Sequence, residues 1–282
     1  MKVFHTKNEV KAYLKNFISS GKEIGFVPTM GALHQGHLSL VSSSKKVNYI
    51  TVVSIFVNPT QFDNKDDLDQ YPKTLEKDLH LLGEGNCDMV FVPSVKEMYE
   101  NNVHSKHFDF DGLENEMEGR YRKGHFDGVG TIVNTFFDVI KPTRAYFGEK
   151  DFQQLQIIKR MVKKLALGVE VIGCPIHREA NGLAMSSRNE RLTLQTRKEA
   201  SIIHQILLTV KEKLATDSVK NISQWVSSQF KNHPLFELEY FTIANESTLK
   251  KTEHISSKTK VRAFIAVYAE SVRLIDNLSL NN

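Results

Sequence analysis

Pro28-Thr29-Met30-Gly31-Ala32-Leu33-His34-Gln35-Gly36-His37 is central to the predicted fold, because it joins an apolar run to a periodic one. The preceding run, Ile24 to Val27, predicts a strand, and Leu38 to Lys46 predicts a helix. A strand, a glycine turn and a helix N-terminus together make an anion site, since backbone N–H groups without intrahelical partners point at the ligand. If the helix begins near Leu33, His34 and His37 share one face of its first turn. Phosphate chemistry is one interpretation, and a turn with incidental histidines is the other.

Further strand-like runs alternate with helical stripes along the first part of the chain. The buried strands are predicted at Tyr49 to Val57, Cys87 to Val92, Arg144 to Phe147 and Val169 to Ile176. The helical stripes lie at Leu75 to Leu82, Val129 to Ile140 and Leu155 to Leu165. This alternation predicts right-handed βαβ units and an α/β fold with a Rossmann-like, doubly wound parallel sheet.

The character of the chain changes after Arg191. Two amphipathic helical segments are followed by strand-like runs at Leu238 to Ile243, Val261 to Ala269 and Val272 to Ile275. Helices followed by adjacent strands predict a smaller α+β domain with an antiparallel sheet. We therefore predict an N-terminal domain over residues 1–175 and a C-terminal domain over residues 176–282.

Polar clusters follow four of the strand-like runs of the first domain. They are Thr29 to His37, Asn58 to Gln61, Gly148 to Asp151 and the segment from Pro175 onward to Arg188. Because parallel α/β sheets bind ligands beyond the carboxyl ends of their strands, these clusters predict a binding crevice at one sheet edge.

Composition narrows the class of protein. The 282 residues are 40% hydrophobic and 25% charged, which is ordinary for a globular protein. The net charge of +4 fits a small anionic substrate, but no basic stripe argues for a nucleic-acid partner. No apolar run approaches the about 20 residues of a membrane helix, and the N-terminus lacks a signal-peptide pattern. We interpret Cys87 and Cys174 as core residues of a cytoplasmic protein.

Several common catalytic motifs are missing from the sequence, among them the P-loop, the dinucleotide fingerprint, H-E-x-x-H and G-x-S-x-G. What remains is His34-x-Gly36-His37, Lys150-Asp151 and Met185-Ser186-Ser187-Arg188. Imidazoles, a lysine and an arginine suit a polyphosphate, because attack on an α-phosphate spreads negative charge that positioned cations and N–H donors stabilise. No metal-ligand spacing is present, so no protein metal site is predicted.

These motifs resemble the nucleotidyltransferase superfamily shared with class I aminoacyl-tRNA synthetases and, more narrowly, the pantothenate synthetase family. Beyond the opening stretch, the segments that carry the resemblance are Phe56 to Phe62, Tyr71 to Thr74, Gly124 to Val129, Phe147 to Gln154, Gly182 to Asn189 and Arg273 to Asn277. The resemblance spans nearly the whole length. It implies joining of pantoate to β-alanine with ATP through a pantoyl adenylate, with Mg²⁺ as cofactor and a homodimer as the assembly.

The resemblance also implies residue roles. Catalysis falls to His37, His34, Lys150 and Arg188, with His37 as a proton donor or an electrostatic clamp. Gln61 and Gln154 would hold pantoate, and the C-terminal domain would close over the active site. The implied ATP site comprises Met30, Gly31, Ala32, Leu33, His34, Gln35, Gly36, His37, Gly148, Glu149, Lys150, Asp151, His177 through its backbone, Met185, Ser186, Ser187 and Arg188.

Alternatives stay open at this point. Gln61 could merely shape a turn, and Asp78 could lie on a solvated helix face instead of near the phosphates. Another nucleotidyltransferase of the superfamily is the nearest rival function. A basic RNA-binding module and a catalytically dead binding protein are the rivals from other classes.

Overall fold

The computed structural model describes residues 1–100, 102–253 and 258–281. The chain divides into two compact units. The first comprises Met1–Glu149 and Gln153–Pro175, and the second comprises Lys150–Phe152 and Ile176–Asn282. The short segment Lys150–Phe152 thus groups with the second unit although it precedes the end of the first in sequence.

A six-stranded sheet forms the centre of the first unit. Its strands are β1 (Lys2–Phe4), β2 (Ile24–Thr29), β3 (Ile50–Ile55), β4 (Met89–Phe91), β5 (Arg144–Gly148) and β6 (Glu170–Cys174). They lie in the order β1-β4-β3-β2-β5-β6, and every pair is parallel. The order reverses between β2 and β5, so the switch point of the sheet lies directly beyond the end of β2. The predicted Rossmann-like sheet is confirmed.

Helices cover both faces of this sheet. They are α1 (Lys7–Ser19), α2 (Gln35–Lys45), α3 (Lys65–Asp69), α4 (Leu75–Glu84), α5 (Val95–Tyr99), α6 (Met117–Tyr121), α7 (His125–Ile140) and α8 (Phe152–Lys164). On one face Val27 and Val53 of the strands pack in a cluster with Val41 of α2. Phe26 points to the other face, as strand alternation requires, and its ring lies 5.5 Å from that of Phe136 in α7.

The second unit contains α9 (Leu194–Glu199), α10 (Ile202–Lys213) and α11 (Val219–Phe230), followed by three strands. The strands β7 (Phe236–Asn245), β8 (Val261–Ala269) and β9 (Val272–Ser279) form an antiparallel sheet in that order. Apolar residues of α10 and α11, such as Leu207 and Val226, share one buried cluster with Ile265 of β8. The predicted smaller α+β fold is confirmed.

Candidate functional site

The turn after β2 is held in a left-handed conformation by a buried carboxylate. Gly31 has a φ of 82° and Ala32 a φ of 50°. This left-handed backbone region disfavours residues other than glycine. Asp78 of α4 accepts hydrogen bonds from Ala32 N at 2.9 Å and from Leu33 N at 2.8 Å. Asp78 is 1% exposed, so the interpretation of a solvated helix face is wrong for this residue. Its carboxylate instead fixes the turn that leads to the two histidines.

Helix α2 begins later than the sequence pattern suggested. It starts at Gln35, and His34 is its N-cap with extended backbone angles, so His34 lies just outside the first turn. The side chain of His34 caps the helix because its Nδ1 accepts a hydrogen bond from Gly36 N at 3.1 Å. The N–H groups of Ala32, Leu33 and Gly36 are thus bonded within the protein, and the expectation that such groups point at the ligand is wrong for these three.

The imidazole rings of His34 and His37 provide hydrogen-bond donors in place of these backbone N–H groups. His37 Nδ1 accepts from His34 N at 3.3 Å, which matches the use of Nδ1 in His34. A backbone N–H can only donate, so in each neutral ring the proton lies on Nε2. The ring centroids are 4.1 Å apart. His34 and His37 therefore form a close pair of Nε2–H donors beyond the end of β2, which suits an oxyanion such as a phosphate.

Gln61 reaches the same turn from the neighbouring strand. It ends a short 3₁₀ helix, Pro59–Gln61, that follows β3. Its side-chain amide nitrogen lies 2.9 Å from the sulfur of Met30, and the residue is 9% exposed. Gln61 thus does more than shape the turn, because its side chain extends to the first residue of the predicted ATP segment.

Adjacent glutamines at the start of α8 have different environments. Gln153 is 4% exposed, accepts from Glu118 N and donates to the carbonyl oxygens of Leu113 and Glu116. Gln154 is half-buried, and its side chain makes no hydrogen bond within the described ranges. Gln153 is thus committed to the fold, whereas Gln154 retains the hydrogen-bonding capacity that a substrate site requires.

Strand β9 of the second unit holds the segment that contains Lys150. The end of β5, Gly148, leads into a 3₁₀ turn, Glu149–Asp151, and Lys150 Nζ lies 3.8 Å from Asp151 Oδ2. Asn277 of β9 donates from its amide to the carbonyl oxygen of Lys150 at 2.8 Å. The main chain at Lys150 is therefore anchored to β9.

Asp276, the residue before Asn277 in β9, anchors the hairpin that leads to Met185–Arg188, the other segment predicted to bind phosphate. Asp276 forms a bidentate pair with Arg178 at 2.7 and 3.0 Å, and Arg178 is bridged to Ala184 in a hairpin. In that hairpin Met185 N donates to His177 O at 3.0 Å, while the His177 side chain is exposed. The exposed ring agrees with a role for the His177 backbone alone.

The hairpin leads into the serine and arginine of the motif. Ser186 Oγ accepts from Arg188 N at 3.2 Å and caps a 3₁₀ helix, Ser187–Arg191. Ser187 is buried and Arg188 is half-buried. Because Asp276 and Asn277 are consecutive in β9, the second unit brings the Lys150 segment and the Met185–Arg188 segment to one strand.

The sequence did not reveal four residues that organise these groups, namely Asp78 as a clamp, Asn58 beside Gln61, Gly128 of α7 and Asp276 as the partner of Arg178. Three of them had a signal, since Asn58, Gly128 and Asp276 all lie inside segments that carry the family resemblance. A hydrogen-bonding role was not readable from those segments, because the partners are distant in sequence.

The described residues show neither a metal cluster nor a membrane-spanning helix. Within them, no group of three or more His, Cys, Asp or Glu side chains could hold a metal ion. No helix in these ranges is both long and apolar enough to cross a membrane. Both cysteines are buried and free, and burial raises the pKa of Cys87 to about 12 and raises that of Cys174 as well. They are core residues, as expected.

Comparison with known proteins gives a consistent result. A family model described as pantoate-beta-alanine ligase matches residues 2–279. Pantothenate synthetase of Christiangramia forsetii is 52% identical over the full length of both chains, and that of Fervidobacterium nodosum is 48% identical over the same extent. The crystal structure of pantothenate synthetase from Thermus thermophilus superimposes with a TM-score of 0.92 at 39% identity, covering all of both chains. That of the Francisella tularensis ligase, complexed with beta-gamma ATP and beta-alanine, gives 0.81 at 34% identity over 99% of this chain and 98% of its own. The chain belongs to the pantoate–β-alanine ligase family, the pantothenate synthetases.

Proposed function

We propose that this ligase works in two steps at the groups described above. In the first, a carboxylate oxygen of pantoate attacks the α-phosphorus of ATP, the new O–P bond forms, and pyrophosphate leaves as the α–β bridging bond breaks. In the second, the amine of β-alanine attacks the acyl carbon of pantoyl adenylate. The amide bond forms, AMP leaves, and the amine loses a proton to solvent. The products are pantothenate, AMP and pyrophosphate.

The observation that carries this proposal is the imidazole pair at the switch point of the sheet. Two Nε2–H donors, His34 and His37, lie where parallel α/β sheets bind their ligands. Charge develops on the α-phosphate oxygens and on pyrophosphate during the first step, and donors fixed in advance stabilise it more than they stabilise ATP. Lys150 and Arg188 are proposed to add positive charge to the same transition state.

The remaining predicted residues complete the proposal. The ATP site comprises Met30 to His37, Gly148 to Asp151, His177 through its backbone and Met185 to Arg188. Gln61 and Gln154 hold pantoate, because amides can both donate to a carboxylate and bond to hydroxyls. Since the described residues offer no cluster of metal ligands, we assign Mg²⁺ to the phosphates of ATP and no step to the ion itself.

A product assay tests this function. The protein is incubated with ATP and pantoate, with and without β-alanine, and pantothenate, AMP and pyrophosphate are quantified by mass spectrometry. We expect AMP and pantothenate in equal amounts only when β-alanine is present. Without it, a single equivalent of pyrophosphate and enzyme-bound pantoyl adenylate are expected. Release of pyrophosphate without any β-alanine-dependent AMP would instead favour another nucleotidyltransferase of the superfamily.

Three further expectations stay predictions. They are a homodimer, a cytoplasmic location and closure of the domain at residues 176–282 over the active site. Sedimentation equilibrium of the purified protein measures the first directly, with twice the chain mass of 32.2 kDa as the expected result.

A further inference from the structure

The side-chain amide of Asn58 is fixed in one orientation by its surroundings. Its nitrogen lies 3.1 Å from the carbonyl oxygen of Gly128 and 3.2 Å from Gln61 Oε1. A backbone carbonyl can only accept, so the group facing Gly128 has to be the NH₂ of Asn58. The carbonyl oxygen of Gly128 therefore determines which end of the Asn58 amide is nitrogen and which is oxygen. Asn58 is 1% exposed, which keeps competing water away.

The orientation of Asn58 decides that of Gln61. Because Asn58 offers its NH₂, Gln61 has to present its oxygen to Asn58, and its own NH₂ then points the other way. That NH₂ is the group 2.9 Å from the sulfur of Met30. Gln61 consequently offers a donor, not an acceptor, toward the segment predicted to bind ATP.

The other end of Asn58 is held by a tyrosine. Tyr99 donates from its hydroxyl to Asn58 Oδ1 at 2.5 Å, and Thr60 Oγ1 lies 2.8 Å from the Tyr99 oxygen and 3.2 Å from the same Oδ1. Burial raises the pKa of Tyr99, against the hydrogen bonds to Thr60 and Asn58 that lower it. The hydroxyl thus keeps its proton at neutral pH and remains a donor to Asn58.

The main chain under Gln61 is held as firmly as its amide. His125 of α7 lies with Nδ1 2.7 Å from Gln61 O, so this nitrogen carries the proton. A methyl group at Gly128 would lie 2.3 Å from Thr60 O, and only glycine lets α7 approach this closely. With the backbone fixed, the remaining freedom of Gln61 lies in its side chain, and the Tyr99–Asn58 pair removes it.

We propose that the Tyr99 hydroxyl is a positioning group of the pantoate site, which acts through Asn58 to aim the NH₂ of Gln61 at an oxygen acceptor of the substrate. The inference rests on the proposed function, in which Gln61 holds pantoate. In chemical terms, the NH₂ of Gln61 donates a hydrogen bond to a carboxylate or hydroxyl oxygen of the substrate. Tyr99 itself does not touch the reacting atoms.

The test is the kinetic profile of Tyr99→Phe, which removes only the hydroxyl. We expect the KM for pantoate to rise about tenfold, the scale of one lost hydrogen bond, with the KM for ATP within about twofold. Tyr146→Phe is the matched control, because the Tyr146 hydroxyl also bonds an asparagine amide, Asn48 Nδ2 at 2.7 Å. This control should leave both KM values within about twofold while losing a similar amount of thermal stability.

A second variant tests whether Gln61 acts as the donor. Asn58→Asp keeps an acceptor for Tyr99 but removes the donor both to Gly128 O and to Gln61 Oε1. The amide of Gln61 should therefore turn, donate to the new carboxylate and present its oxygen to pantoate. We expect a larger rise in the KM for pantoate than in Tyr99→Phe. If Tyr99→Phe does not fold, Thr60→Val replaces it, since the Thr60 hydroxyl bonds the same two groups. A rise of about threefold in the KM for pantoate alone is then expected.

Several results would overturn the inference. An unchanged KM for pantoate in Tyr99→Phe, an equal rise in both KM values, or the same rise in Tyr146→Phe would each reduce Tyr99 to a stabilising residue. Gln61→Glu, which removes the NH₂, separates this from failure of the proposed function. If wild type is active and only Gln61→Glu raises the KM for pantoate, the role of Tyr99 alone is refuted. If wild type makes no pantothenate, both proposals fail.

Discussion

The six-stranded sheet has a carboxyl edge, where its strands end, and an amino edge, where they begin. Both edges contain tyrosine–asparagine pairs and aspartates bonded to backbone N–H groups, but these pairs serve different purposes. At the carboxyl edge, the Tyr99 hydroxyl donates to Asn58, and the oriented amide of Asn58 in turn orients the amide of Gln61, a candidate substrate-binding residue. Toward the amino ends, Tyr146 bonds Asn48, whose other partners are Ser44 and Arg144, all within the scaffold. The first network ends at Gln61, the residue that we propose to hold pantoate, whereas the second contains only residues of the scaffold.

Two aspartates, the buried Asp78 and the half-buried Asp88, repeat this contrast. Asp78 accepts from the backbone of Ala32 and Leu33 and so holds the turn before the imidazole pair. Asp88 accepts from Thr51 N at 2.7 Å, at the start of β3. None of the candidate site residues lies next to Thr51 in the sequence. The chemistry of the bond is the same at both edges. Position in the α/β sheet decides whether it serves the site or only the fold.

The largest effect should come from the imidazoles, which have no counterpart at the amino edge. We expect His37→Ala to lower kcat by about 10²- to 10³-fold, the scale of one lost transition-state donor. His37→Gln keeps an N–H donor and should lose no more than about tenfold. Steady-state kinetics over pH 6–9 measures both. If the glutamine variant is as impaired as the alanine variant, His37 transfers a proton and the clamp interpretation fails.

A smaller but still large effect is expected from the aspartate clamp. Asp78→Asn turns one acceptor into a donor facing a backbone N–H, so the turn should relax and kcat/KM should fall about 100-fold through misplaced histidines. Asp88→Asn is the control, since one oxygen remains for Thr51 N, and kcat/KM should stay within about threefold. Circular dichroism checks that both fold. Equal losses of activity would remove the distinction between the two edges.

A still smaller effect on activity is expected from two close-packed glycines. Alanine at Gly128 would meet Thr60 O at 2.3 Å, and alanine at Gly25 would meet Ser44 Oγ at 2.0 Å. Each should cost about 1–3 kcal/mol of unfolding free energy, measured by urea denaturation. Only Gly128→Ala should also raise the KM for pantoate, by severalfold. Gly83→Ala, with nothing within 4 Å, gives the baseline for a tolerated methyl group.

The smallest effect is expected from the cysteines, one near each edge. Burial raises the pKa of Cys87 to about 12 and raises that of Cys174, so at pH 8 the thiolate fraction of Cys87 is about 10⁻⁴. Iodoacetamide should therefore label neither in the native protein and both after denaturation. Activity should survive the treatment. Rapid native labelling of Cys174, which ends β6, would show that this edge is more open than its burial indicates.

Much of the architecture was readable from local patterns. The spacing of Thr6 and Glu9 is typical of a capping box, and α1 begins with one: Glu9 N donates to Thr6 Oγ1 at 3.3 Å and Thr6 N donates to Glu9 Oε2 at 2.9 Å. The stripe Val129 to Ile140 lies within α7 and ends as predicted. Strand β1 and the short helices α3, α5 and α6 were not predicted, because segments of three to five residues are too short to show a period.

The strand-turn-helix at Ile24–Lys45, the parallel sheet, the antiparallel C-terminal sheet and the family could all be predicted from the amino-acid order, because they depend on short-range periodicity and on contiguous motifs. Which polar groups hold others in place became evident only in the folded chain. Asp78 lies 46 positions from Ala32, and Asn58 lies 70 from Gly128. No local pattern encodes such pairs, since a helix stripe shows that a face is buried but not what it meets. Burial then makes each pair specific, because a buried acceptor has to be satisfied by whatever donor the fold brings to it.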